Sequence, residues 1–286
     1  MSTVLKALSE ALGPVINAAL EDPATQDVVA QANGTILRRK HGKWDSVGRI
    51  DENRRLAVLT FAAHLAGRCI RPDRPTVSAI LPTSNARLKG QIPPAAPGAQ
   101  FFIRRPAPRL FDLQSYLDGG IMTEAQVGFV SANAGKRTLL IGGPIGSGKS
   151  TLMNTVINLP AYRRKHAVYI QDDDELRPPP LAEKLFTAED TDPPVTLQSA
   201  LQDALRMMAE VIGVGEVRGK EALDLIMAWN TGVKGVSTIH ADSAVDAIER
   251  LDQLVALNGG RVMSRGEICR SVNSIAFIKA RRLERA

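Results

Sequence analysis

Cysteine is scarce: Cys69 and Cys269 are the only thiols in 286 residues. That excludes a disulfide scaffold and a four-thiol metal site, and it suits a reducing compartment. Long hydrophobic runs are absent too. Charges or turn residues break every apolar block short of the ~18 residues a spanning helix needs, so any membrane association is expected to be peripheral. The opening MSTVLKALSEALGPVINAALED alternates apolar and polar residues at helical spacing but lacks a basic start, an unbroken apolar centre and a cleavage-like tail. It predicts a soluble helix rather than a leader. The histidines, His41, His64, His166 and His240, are scattered and have no zinc-ligand spacing. Internal repeats of 20 to 50 residues and low-complexity tracts are also missing.

What is present is enough for one large core or two modest ones: 44% of residues are apolar and 23% charged. Lys plus Arg number 36 against 30 for Asp plus Glu, a formal charge of +6. The excess favours acidic partners, with nucleotide, nucleic acid and anionic lipid all open.

The first hundred residues consist of short mixed elements. Residues 33–47 predict a hairpin turning near His41 and Gly42, and 54–68 a helix. Proline and glycine space short strand candidates over 71–100, so this part is expected to be a small α+β domain. Residues 101–120, FFIRRPAPRLFDLQSYLDGG, carry prolines between apolar pieces and are the expected hinge. Thr123 then caps a helix from Glu124 to near Gly135. Beyond it the pattern alternates strands at 138–143, 167–171, 211–215 and 235–239 with helices at 149–158, 197–210, 219–229 and 243–257. That is the rhythm of an α/β layered domain. A last strand is expected in SIAFIKARRLE, and 177–195 is expected to be a surface excursion.

Gly143-Pro144-Ile145-Gly146-Ser147-Gly148-Lys149-Ser150 satisfies G-x-x-x-x-G-K-[ST] between an apolar strand and a helix. Gly146 and Gly148 let the chain wrap phosphate oxygens, and backbone N–H groups with the helix N-terminus form an anion nest. Lys149 is expected to reach the β and γ phosphates and Ser150 to take one position on Mg²⁺, with Thr151 close by. Ser147 belongs to this loop and is no hydrolase nucleophile. Glu216, in VIGVGEVRG, is the acidic residue expected at a neighbouring strand end, with Arg218 placed to neutralise transferring charge. QDDDELR at 171–177 concentrates carboxylates whose repulsion a nucleotide metal would relieve; Asp172 and Glu175 are the preferred members. His240 follows VSTI, where it is either a phosphate donor or an ordinary structural residue. The basic run YRRKH at 162–166 and the pair Arg281 and Arg282 suit solvated ends or an acidic partner.

Together these segments resemble the conjugal-transfer and type IV secretion traffic ATPases, relatives of the type II secretion and pilus-retraction motors. The resemblance runs from roughly residue 30 almost to the end. GPIGSGKST is similar to their phosphate loop, IQDDDEL to their acidic box, LRMMAEVIGVGEVRGKEALDLIMAWNTG to their Walker B region and GVSTIHA to their histidine box. FFIRRPAPRLFDLQSYLDGGIMTEAQ resembles the join between their two domains. The resemblance implies an α/β fold with a RecA-like P-loop NTPase domain and a smaller N-terminal α+β domain. The corresponding division here is 1–104, a linker at 105–122, and 123–286. It also implies a homohexamer on the cytoplasmic face of the inner membrane, working with other secretion or conjugation proteins. ATP would lie at the domain join, with Arg87 and Arg104 over its phosphates, Glu216 as the Walker B carboxylate, and His240 in the histidine box.

Several positions depart from that pattern. Gln171 stands where the family usually has Glu, which shifts the expected general base to Glu216. Ala209-Glu210-Val211 replaces Pro-Asp-Arg, Val233 replaces a histidine, and Pro144-Ile145 replaces Gly-Thr. The chain also stops early after SIAFIKARRLERA by comparison with these relatives. The expected function is a Mg·ATP-hydrolysing motor for conjugative transfer or type IV secretion. Its alternatives are a nucleotide-binding assembly component with weak or no hydrolysis, and an ATPase stimulated by direct DNA binding. An adenylate-type kinase is disfavoured, because no acceptor pocket or lid is evident.

Overall fold

In the computed structural model the described residues are 3–106, 110–172, 174–188, 191, 193–259 and 263–279. Asp173, Arg281 and Arg282 therefore lie outside them, as do residues 107–109 of the expected hinge. The chain divides into two compact units, Met1–Arg109 and Leu110–Ala286.

The first unit comprises α1 (Thr3–Glu21), β1 (Thr25–Ala30), β2 (Thr35–Lys40), β3 (Lys43–Arg49), α2 (Glu52–Leu65), β4 (Thr76–Leu81), β5 (Ala86–Gln91) and β6 (Gln100–Arg104). Its strands form one antiparallel sheet in the order β3-β2-β1-β6-β5-β4. His41 and Gly42 both take positive φ (48° and 71°), as a two-residue hairpin turn between β2 and β3 requires. Pro14 interrupts α1 and, with Gly13, leaves carbonyls of the preceding turn without intrahelical donors. Side chains replace them: Asn17 donates to Ser9 O at 2.7 Å, and Arg54 to Glu10 O at 2.6 Å and Ala11 O at 3.2 Å. The core of this unit joins Ile16 of α1 and Val58, Leu59 and Ala62 of α2 to Val28, Ile36, Leu88, Phe101 and Ile103 of the sheet. Arg55 is buried beneath it and donates to the carbonyls of Ile50, Ala99 and Ala32, so its burial leaves few donors unpaired.

The second unit comprises α3 (Leu113–Asp118), α4 (Glu124–Asn133), β7 (Leu139–Gly143), α5 (Lys149–Ile157), α6 (Pro160–Arg163), β8 (Ala167–Gln171), β9 (Ala182–Phe186), α7 (Leu197–Arg206), β10 (Val211–Val217), α8 (Ala222–Asn230), β11 (Val236–His240), α9 (Ala244–Ala256), α10 (Arg265–Ser271) and β12 (Ser274–Phe277). All its strands are parallel, in the order β12-β7-β11-β10-β8-β9. Every residue of β7 and β8 is buried, the signature of strands covered on both faces. Leu139, Ile141, Ala167 and Tyr169 pack with α3 to α6, while Leu140, Val168 and Ile170 pack with α7 to α10. Thr123 and Gln126 form a capping box at the start of α4.

Three expectations need correction. Residues 101–104 are not hinge: they form β6, with Phe101 and Ile103 buried, because their alternating apolar pattern outweighs the prolines that follow. The 177–195 segment is not wholly an excursion, since Ala182–Phe186 pairs with β8 as the edge strand β9. Its mixed charge suits an edge. The helix expected to run to residue 210 stops at Arg206, and Met208 takes positive φ (56°) in the turn into β10.

Candidate functional site

The carboxyl ends of β7, β8, β10 and β11 carry the candidate residues, the location at which open parallel sheets bind ligands. β7 ends at Gly143 and α5 begins at Lys149. Gly146 (φ +73°) and Gly148 (φ +103°) adopt the left-handed conformation that side chains disfavour, and no atom lies within 4 Å of where their Cβ atoms would be. The loop is therefore bent by glycine and open above. The first intrahelical bond of α5 runs from Leu152 N to Gly148 O. The N–H groups of Lys149, Ser150 and Thr151 thus belong to the free first turn of a helix, where anions are favoured. Pro144 is partly exposed and Ile145 is 83% exposed; Ser147 donates its N–H to Pro144 O at 3.2 Å.

Lys149 is buried. Its Nζ donates to Gly143 O at 2.9 Å and Pro144 O at 3.0 Å, and it lies 2.9 Å from His240 Nδ1. Burial pushes its pKa below that of an ordinary lysine; Glu216 opposes that shift and Arg218 adds to it. A cation here gains from any anion that enters the loop. His240 ends β11, and its Nε2 lies 2.5 Å from Glu216 Oε1. The other Glu216 oxygen accepts from Arg218 Nε at 2.5 Å, and Arg218 reaches Asp172 at 3.4 Å. Asp172 accepts from Thr187 Oγ1 at 2.7 Å. Lys149, His240, Glu216, Arg218 and Asp172 therefore form one continuous polar chain across four strand ends. With Lys149 donating to Nδ1, the imidazole carries its proton on Nε2 and donates to Glu216.

Glu216 is aimed by an irregularity in its strand. The β10–β11 register shifts between Val214 and Val217, and the hydroxyls of Ser237 and Thr238 bind Val214 O and Gly215 O at 2.8 and 2.6 Å. Such bulges redirect side chains. Neither hydroxyl is marked by sequence spacing, although polar residues inside the otherwise apolar run GVSTI were a visible signal.

Gln171 holds a structural position. It is buried, its Oε1 accepts from Glu175 N at 3.1 Å and Leu176 N at 2.8 Å, and its Nε2 donates to Asp174 at 3.3 Å. Asp174 continues to Lys184 of β9 at 2.6 Å. Asn154 of α5 fastens the same turn, donating to Glu175 O and accepting from Arg177 N. Glu175 thus enters through its backbone, and its exposed carboxylate stands outside the polar chain. Among the described residues no group of three or more His, Cys, Asp or Glu side chains is arranged to hold a metal.

Arg87 and Arg104 belong to the first unit, where they face each other across β5 and β6. Arg104 Nε donates to the buried Asp27 at 2.9 Å, and its guanidinium lies 5.2 Å over the Phe102 ring. The unit thereby gives Arg104 local partners that the sequence did not advertise.

Residues 58–286 match a family model described as Type II/IV secretion system protein. A Sinorhizobium fredii protein named as a probable conjugal transfer protein TrbB is 33% identical over 259 residues, covering 88% of this chain and 78% of that protein. The conjugal transfer protein TrbB of Rhizobium radiobacter is likewise 33% identical over 259 residues, 88% of this chain and 79% of its own. Among solved structures, the pilus retraction motor PilT with bound ADP superposes with a TM-score of 0.67 at 18% identity, covering 92% of this chain and 76% of that one. This last likeness is one of fold.

Proposed function

Because the chain belongs to the Type II/IV secretion system protein family, we propose that it is an ATP-hydrolysing motor of a conjugative-transfer or type IV secretion apparatus. The observation that carries this reading is the contact chain from the phosphate-loop Lys149 through His240 to Glu216. It joins a polyphosphate seat to a carboxylate at a neighbouring strand end.

The open loop, the free first turn of α5 and the buried Lys149 fit a nucleotide's β and γ phosphates. Loop residues Gly143 to Gly148 supply backbone, Lys149 supplies charge, and Thr151 lies one residue beyond Ser150. Bound Mg²⁺ would neutralise phosphate charge, with the Ser150 hydroxyl as its protein ligand and Asp172 and Glu175 within the adjoining acidic turn. Phosphate oxygens would compete with His240 and the loop carbonyls for Lys149, and with Glu216 for Arg218. The side chain of Arg218 is 60% exposed whereas that of Glu216 is 16% exposed, so the arginine is the member that an incoming phosphate reaches from solvent. Once the arginine leaves, one Glu216 oxygen can accept a proton from a water attacking the γ phosphorus in line. The bond from that phosphorus to the bridging oxygen breaks, giving ADP and phosphate. Gln171 cannot take this proton, and both its polar atoms already hold the acidic turn.

The family resemblance adds a homohexamer working with other apparatus proteins at the cytoplasmic face of the inner membrane, and Arg87 and Arg104 as further phosphate contacts. Among the described residues no helix is long and apolar enough to cross a membrane. Magnesium-dependent phosphate release by the purified chain tests the activity, and the size of the ATP-bound assembly tests the ring. Tight nucleotide binding without turnover would replace the motor with an assembly component.

A further inference from the structure

The opposite end of the second sheet has its own chemistry. The connections that enter the amino ends of β12, β7, β11, β10 and β8 lie side by side, in that order. They bring Arg270, then Lys136 and Arg137, then Lys234, and finally Arg163 and Arg164 to one edge. Five neighbouring strand ends at about 4.8 Å spacing span about 19 Å. Strands of five residues place this edge about 16 Å from the phosphate loop.

One carboxylate, Glu210, lies in the same connections, and it is engaged by the backbone N–H of His166 at 3.0 Å. Lys136, Arg137, Arg164, Lys234 and Arg270 form no side-chain ion pair with any described residue, and all but the partly exposed Lys234 are exposed. The connections that carry the row are braced. Lys165 Nζ donates to Gly135 O at 2.7 Å, tying two of the connections together, and Arg163 Nε donates to Asn158 O at 2.8 Å. Unneutralised cations on neighbouring strand ends are unfavourable alone and gain most from a linear polyanion.

We propose that this row of cations at the amino ends of the second sheet binds the phosphate backbone of duplex nucleic acid without reading its sequence. Its linear form fits a chain of phosphates. A single strand would need several stacking aromatics, whereas α4, which leads into this edge, carries one exposed ring, Phe129. A bilayer would need an apolar insertion, for which the turn before β10 offers only Met208. This inference does not rest on ATP hydrolysis, because its residues lie at the other end of the sheet from the phosphate loop.

The test is fluorescence anisotropy of a labelled 20-base-pair DNA duplex with the full chain over a salt series, beside co-sedimentation with phosphatidylglycerol-containing vesicles. The wild type is expected to bind with a log–log salt slope of about −5, from about 0.9 per phosphate contact. K136E/R164E/K234E should lose about 2 to 3 of that slope and at least tenfold in affinity at low salt. The milder K136Q/R164Q should lose about 1 to 2, guarding against a folding defect. Both variants should keep the wild-type rate of phosphate release without DNA. Absence of salt-dependent duplex binding, unchanged binding by the variants, or binding to vesicles with none to DNA would each overturn the proposal.

Discussion

Lys149 Nζ lies 2.9 Å from Nδ1 of His240, so the lysine of the phosphate loop and the last residue of β11 are direct neighbours. Through His240 the lysine is one side chain away from Glu216. Anything that draws Lys149 towards phosphate therefore changes the hydrogen bonding of the carboxylate proposed to handle water.

Lys149→Ala is expected to lower ATP turnover at least a hundredfold, by removing the cation aimed at the phosphates. The same residue couples folding to pH. The folded state depresses the Lys149 pKa through burial, so just below the ordinary value the unfolded chain holds more protons, and stability rises with pH in that window. Denaturation of the wild type between pH 8 and 10 should show this rise, and K149A should flatten it. An unchanged slope in the variant would remove Lys149 as its source.

Gln171→Ala deletes the acceptor of two backbone N–H groups at a buried position. A loss of about 1–3 kcal/mol is expected, measurable as a fall in Tm. Gln171→Glu keeps the acceptors but replaces the donor facing Asp174 with a carboxylate, so its loss should be smaller. Q171E should leave turnover within about threefold. A hundredfold gain would move the base from Glu216 to position 171.

Arg218→Ala removes a mostly exposed side chain, so its stability effect should stay within about 1 kcal/mol. Turnover should fall a hundredfold or more if the arginine meets transferring charge. Asp172→Asn weakens the 3.4 Å contact, keeps an acceptor oxygen for Thr187 and leaves Glu216 holding the arginine, so less than a tenfold change is expected. Equal losses in the two variants would point to a shared structural role. Phosphate-release kinetics beside thermal melts separate these outcomes.

The legible parts of the fold were those governed by local chemistry. The hairpin at His41 and Gly42, the capping box at Thr123 and the apolar strand before the phosphate loop each follow from a few adjacent residues. The boundaries that escaped depended on distant partners: β6 is a strand because β1 and β5 flank it, and β9 because β8 offers an edge. The same distinction holds at the site. Loop residues announce themselves by spacing and Glu216 by its place at the end of an apolar strand, whereas His240, after VSTI, is open between a phosphate donor and a structural residue until the resemblance points to the histidine box. The hydroxyls of Ser237 and Thr238 stand out as polar residues in an apolar run, but the carbonyls they bind, and the turn that makes Gln171 structural, appear only once β8, β10, β11 and α5 are assembled.

In the proposed motor, Glu216 serves the chemistry of a nucleotide held by the phosphate loop. Phosphate release and ATP affinity measured together for the wild type and Glu216→Gln test it most directly. The expected result is magnesium-dependent turnover in the wild type, and in the variant an affinity within about threefold with turnover lowered by about 10² to 10⁴. Undiminished turnover in the variant, or loss of binding in step with turnover, would contradict it.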